Sequence, residues 1–344
     1  MTDGIDTAFD AIGRGFATLR ANWQLVPVTW LQQVLVTALL VLGLAVPVAA
    51  IGGEVGLREG WEAVAAWQPA SGAEAAEDLA LAVEPIALPL VVALLGTAVV
   101  WGLAVIAFCW FQGGFFGILL AAERQALPGP PRDWRLFRTW DRALFFGWAR
   151  RLVWRYFGFW NLWGLVFLAW LAAALVVFLA ARAAAARWAE AGFAAVGCGG
   201  ALALLASLVV LVAWGIVAPP DLARDEVPVS RSSRRALAFL ARRPLPLGLV
   251  VGVFLALSMV VAMATSTVGT PLALVGVQAG FGWLLAAQGT VVLLQLAAGA
   301  AVTTAMNGAL AALLVADGRG AVEAATMPPP AAAPPAVRLG EVRP

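Results

Sequence analysis

The chain reads as an all-α integral membrane protein with six transmembrane helices. They fall into three repeated units, each an amphipathic helix followed by a helical span pair. Three observations predict this. Mean hydropathy is +0.89, and only 12% of the 344 residues are charged, against about 25% in soluble domains. Several apolar runs exceed the roughly 20 residues needed to cross a hydrocarbon core about 30 Å thick. The runs are continuous, unlike the alternating segments of roughly ten residues that build a membrane β-barrel.

The elements follow in order. Residues 1–23, "MTDGIDTAFDAIGRGFATLRANW", lack the basic start and short apolar core of a signal peptide and carry Asp3, Asp6 and Asp10 instead. Ile5, Phe9, Ile12, Phe16 and Leu19 recur on one helical face, with Asp6, Asp10, Arg14 and Thr18 elsewhere. Spans are expected at 24–50, 86–111, 157–181, 194–217, 247–268 and 288–314. Gly113 and Gly114 are expected to kink the chain where the second span ends. Residues 271–287, "PLALVGVQAGFGWLLAA", form an extra apolar piece broken by Pro271, Gly276, Gly280 and Gly282. A short interfacial or re-entrant element is expected there, rather than a seventh span. Residues 316–344 form a Pro- and Ala-rich tail with the composition of disordered chain.

An internal repeat links the units. "DRALFFGWARRLVWRY" (141–156) and "RRALAFLARRPLPLG" (234–248) share Arg-Ala-Leu, an aromatic residue and Ala-Arg-Arg; "IGRGFATLRANWQLVP" (12–27) is a looser relative. The membrane domain 1–315 therefore divides at about 5–122, 123–217 and 218–315. Leu144, Phe145, Trp148 and Leu152 form the apolar stripe of the second connecting helix, while Leu237 and Leu240 oppose Arg231, Arg235 and Arg242 in the third. Such helices either lie in the membrane interface or pack beneath the bundle as elbows, and packing is expected to dominate.

Arginine asymmetry sets the expected orientation. Of the 22 basic residues, all arginine, only Arg58, Arg182 and Arg187 fall in the loops opposite the connecting helices. The 52–84 loop is acidic. Both termini are therefore expected in the cytoplasm of a bacterial cell, with the chain in its inner membrane.

Composition also bounds the chemistry. There is no histidine, the commonest general base and metal ligand, and no cofactor is expected. Cys109 and Cys198 fall near opposite ends of their spans, which argues against a disulfide or metal site. The inner stretches of the spans lack Asp, Glu and Arg; an intramembrane charge would have pointed to function. Neutral polar groups remain: Gln32, Gln33, Gln112, Asn161, Ser258, Thr304 and Asn307, with Gln288, Gln295 and Thr303 close to one helical face. Those last three are a candidate polar groove, although interhelical hydrogen bonding is their commoner use. Gly248 and Gly252 form a GxxxG, which allows close helix approach.

Seven tryptophans lie between Trp134 and Trp170, interleaved with arginines. Next to a span this is an aromatic belt with headgroup-binding arginines, not a nucleic-acid surface. Arg150, Arg151, Arg234, Arg235, Arg242 and Arg243 are the candidate lipid-headgroup contacts. Asp221, Asp225 and Glu226 beside Arg224 are the only candidate acids of a lipid enzyme; a solvated loop, followed by a helix capped by Ser230 or Ser232, is the expected alternative. Nucleotide-binding motifs are absent.

Residues 214–243, "WGIVAPPDLARDEVPVSRSSRRALAFLARR", carry a proline-terminated span, a charged turn and a Ser/Arg-led helix. In this, and in its six-span layout, the chain resembles the membrane domain of glycerophosphoryl diester phosphodiesterases and related bacterial membrane proteins. The resemblance implies a membrane module alone, because the family's catalytic residues belong to a separate barrel domain that has no counterpart here. The expected function is non-enzymatic: an inner-membrane module that organises lipids or partner proteins. The alternative is a transport component for a small molecule or lipid.

Overall fold

The computed structural model describes residues 2–50, 73–126 and 133–326. Among them all regular structure is helical: α1 (Thr2–Ala21), α2 (Leu25–Ala50), α3 (Ala73–Gln125), a 3-10 turn (Trp134–Phe137), α4 (Arg142–Asp225), α5 (Val229–Arg242), α6 (Pro244–Ala279) and α7 (Phe281–Thr326). Six stretches are long and apolar enough to cross a membrane: Leu25–Ala45, Val91–Gln125, Arg142–Ala185, Ala194–Asp225, Pro244–Pro271 and Gly282–Gly318. The chain is a multi-pass membrane protein.

Polar side chains inside this apolar environment set the helix register. Thr97 Oγ1 donates to the Gly43 carbonyl at 2.9 Å, and Trp101 Nε1 to that of Leu40 at 3.4 Å. These bonds lay α3 antiparallel along α2. As one straight rod, α4 would be about 126 Å long, but its two halves lie side by side. Trp163 Nε1 donates to Leu211 O at 3.2 Å, Trp170 Nε1 to Leu204 O at 3.2 Å, and Gly200 abuts Val177. The chain therefore reverses between residues 177 and 200. Along the same arm Trp163, Phe167 and Trp170 stack in sequence. The third pair, α6 and α7, reverses at Gly280, whose φ of +105° favours glycine. The 271–287 piece is thus no separate element: it is the end of α6 and the start of α7.

Most of the buried side chains gather at one end of the molecule, which also carries most of the arginines. There, residues 302–315 of α7 form a nearly solvent-free pillar among α1, the ends of α3 and α4, α5 and the start of α6. Toward the opposite end, Leu40–Leu44, Val91–Val99, Leu165–Leu179, Leu202–Val210 and Leu255–Met263 expose large apolar side chains. Acyl chains satisfy such surfaces. The three helical pairs are therefore joined at the arginine-rich end and face outward beyond it.

Glycines make that end dense. A methyl group on Gly15 would overlap the Ala305 carbonyl and lie 2.9 Å from Ala309 N, so α1 crosses α7 at Gly15 and Gly308. Gly113, Gly114 and Gly117 serve the same purpose for α4: Cβ atoms there would meet Leu152, Phe145 and Trp148. α3 is helical through Gly113 and Gly114 to Gln125, and both glycines pack closely against α4. Gly248 and Gly252 have open space around them, so their GxxxG is unused among the described residues. At the other end of the sequence α7 continues to Thr326, so the described part of the tail, 316–326, is helical; 327–344 lie outside the described residues, as do 51–72 of the acidic loop.

Candidate functional site

The arginine-rich end is built from two polar clusters. In the first, α1 and the turn that follows it bring Arg14, Thr18 and Asn22 onto one side at helical spacing. Arg14 Nε and Nη2 donate to Glu123 Oε2 at 2.9 and 2.7 Å, and Thr18 Oγ1 donates to Glu123 Oε1 at 3.3 Å. The guanidinium lies 5.1 Å from the Phe137 ring centre. Glu123 is fully buried and Arg14 is 7% exposed. Asn22 fastens the segment before α4: its Nδ2 donates to Phe137 O at 2.7 Å, and its Oδ1 accepts from Thr139 N and Trp140 N, both at 2.9 Å. Asp141 then caps α4, accepting from Ala143 N at 2.6 Å. Sequence reasoning missed Arg14, Glu123 and Asn22 as a group, because they lie on different elements. Glu123 alone carried a signal, as the first charge after a long uncharged stretch of α3.

The second cluster surrounds the end of α4. Pro219 and Pro220 remove two helical N–H donors there, and two side chains bond carbonyls at this point, one from the first arm of α4 and one from α5. Tyr156 Oη donates to Pro219 O at 2.8 Å, and Ser232 Oγ to Ala218 O at 3.1 Å. Ser232 therefore ties α5 to α4 instead of capping α5, and Pro228, with no side-chain cap, stands at that helix's start. The expected solvated loop also gives way in part. Asp221 and Asp225 lie inside the last turns of α4, and Asp221 is 2% exposed; Glu226 ends the helix at φ +52°.

The three carboxylates engage four arginines, with Arg224 shared by Asp221 and Asp225 at 3.4 Å each. Asp221 lies 3.4 Å from Arg224, Asp225 2.6 Å from Arg235, and Glu226 2.8 Å from Arg151 and 3.6 Å from Arg155. Arg124 donates to Arg224 O, while Arg224 Nη1 donates to Leu314 O at 2.8 Å. Asp317 of α7 receives Arg242 at 3.3 Å and Arg243 at 3.8 Å. The network positions helices against one another through charge-assisted bonds.

The candidate headgroup arginines thus divide. Arg151, Arg235, Arg242 and Arg243 are engaged by carboxylates, whereas Arg150 and Arg234 are exposed with no ion-pair partner among the described residues. Trp154 is 68% exposed beside Arg150 and Arg151 in sequence. On α1 the buried face is Ala8, Ala11 and Thr18, and the expected apolar stripe turns partly outward, with Phe9 63% and Phe16 43% exposed. On α5 the buried face is Ser232, Ala236 and Phe239, so Leu237 points out rather than in. The second stripe packs inward through Phe145 and Leu152 against α3.

Of the proposed groove, Gln288 is exposed, while Gln295 and Thr303 are half-buried. An open pocket of about 320 Å³ lies between α6 and α7, lined by Ala264, Thr265, Val291, Leu294 and Ala298, none of them a groove residue. Cys109 is buried and Cys198 exposed, both as free thiols. Comparison with protein-family models, curated proteins and solved structures finds no match for this chain.

Proposed function

We propose that the chain is a non-enzymatic module of a bacterial inner membrane, with both termini cytoplasmic, which organises anionic lipids or partner proteins at its arginine-rich end. The observation that carries this reading is the division among the arginines. Those held by carboxylates lock the helices together, which leaves Arg150 and Arg234 directed outward on helices that also expose Trp154 and Leu237. Exposed cations beside exposed apolar side chains suit a headgroup–acyl boundary. The three connecting helices, α1, the start of α4 and α5, act in this reading as repeated interfacial elbows, one for each span pair. The resemblance of residues 214–243 to phosphodiesterase membrane domains fits a module without its own chemistry.

Native mass spectrometry of the full chain, released from nanodiscs containing phosphatidylglycerol and phosphatidylcholine, tests the proposal. Arg150→Gln with Arg234→Gln should lower phosphatidylglycerol retention by about 1 kcal/mol per arginine, with phosphatidylcholine unchanged. Equal retention by the variant and the parent chain would exclude these arginines as lipid contacts.

A further inference from the structure

A polar patch on α2, apart from the arginine-rich surface, holds two buried oxygens with no hydrogen-bond partner among the described residues. Thr29, Gln32 and Gln33 fall within about 100° of one another around the helix axis. Thr29 is 5% and Gln32 4% exposed, and Gln33 is half-buried. Among the described residues, Thr29 Oγ1 and Gln33 Oε1 are buried with no hydrogen-bond partner. The behaviour of Thr29 is unusual for this chain. Ser258, Thr265, Thr267, Thr270, Thr290 and Thr304 all return their hydroxyl proton to the carbonyl four residues back, at 2.8–2.9 Å.

Helix register brings further polar residues to the same level. Trp101 bonds Leu40 across the α2–α3 pair. Eleven residues along α3 from Trp101 stands Gln112, and eleven residues back along α2 from Leu40 stands Thr29. Trp30 Nε1 donates to Leu293 O of α7 at 3.1 Å; two residues on is Gln295, level with Val28 and Thr29. Both glutamines are half-buried. Thr29, Gln32, Gln33 and Gln112 therefore lie within about 6 Å of one level along the α2–α3 pair, whereas Gln295 stands about 200° round α7 from Leu293.

We propose that Thr29, Gln32 and Gln33, with Gln112 beside them, form an intramembrane binding site for a small uncharged molecule that donates hydrogen bonds, water being the smallest member of the class. Gln33 Oε1 can only accept, and Thr29 Oγ1 has lone pairs to offer, so the ligand must be a donor. None of the four residues is ionisable, and a charged ligand would lose its hydration without a counter-charge.

Thermal unfolding of the full chain in nanodiscs tests this, because an occupied site and an empty one give opposite signs. Thr29→Val removes the hydroxyl at nearly constant shape. An occupied site predicts a Tm lower by about 2–4 °C, a similar loss for Gln33→Leu, and no further loss in the double variant, since both groups hold one molecule. Thr29→Ser, which keeps the hydroxyl, should retain most of the stability. A Thr29→Val protein as stable as the parent or more so, or additive losses in the double variant, would overturn the proposal. X-ray radiolytic labelling of the unaltered protein supplies an independent reading. Leu25 is fully buried one turn from Thr29, so water in the site should oxidise it, and an unlabelled Leu25 would count against the site.

Discussion

Removing Glu123 should destabilise the chain more than its place near a helix end suggests. The carboxylate is fully buried, and the Arg14 side chain that donates twice to it is 9% exposed. Glu123→Leu takes from the buried Arg14 guanidinium the carboxylate oxygen that accepts two of its hydrogen bonds. Breaking one side of such a pair costs about 3–5 kcal/mol, which at about 2–4 °C per kcal/mol corresponds to a Tm lower by roughly 6–20 °C. Replacing both partners, as Arg14→Met with Glu123→Leu, removes the buried guanidinium as well and should recover most of that loss, since buried pairs exchanged for apolar groups are often neutral. Differential scanning fluorimetry of four proteins in one detergent (parent, two single variants and the double) measures the coupling. Single variants within about 1 kcal/mol of the parent, or a double variant as unstable as the sum of the singles, would refute the argument that desolvation makes this pair matter.

Two further outcomes follow from the packed end. Gly15→Ala places a methyl group on the Ala305 carbonyl where α1 crosses α7; overpacking of about 1–3 kcal/mol should exceed the helix-propensity gain of about 1 kcal/mol, and a raised Tm would contradict the crossing. Asn22→Ala strands Phe137 O, Thr139 N and Trp140 N together, so hydrogen exchange at the Thr139 and Trp140 amides should accelerate markedly, while amides of the α6–α7 pair stay as in the parent.

The six spans were legible in the sequence because hydrocarbon sorts side chains by transfer energy alone, and that sorting needs no knowledge of neighbours. The outward residues at the arginine-rich end were less legible. Periodicity identified an apolar stripe on α1 but not its direction. In water such a stripe turns inward, whereas here the small face, Ala8 and Ala11, packs while Phe9 and Phe16 turn out. Gly113 and Gly114 suggested a kink by the same local logic, yet their smallness serves α4, a partner no local pattern names.

Thus local composition was enough to determine that the chain crosses a membrane repeatedly and that its cations gather at one end. Tertiary structure decided which of those cations are engaged. Arg235 and Arg234 are neighbours in sequence, but only Arg235 meets Asp225, because α5 returns against the end of α4. Likewise Arg14 meets Glu123, more than a hundred residues away. Hydrophobicity is a property of each residue and survives being read one position at a time. Ion pairing and desolvation depend on distances that exist only once the helices have packed.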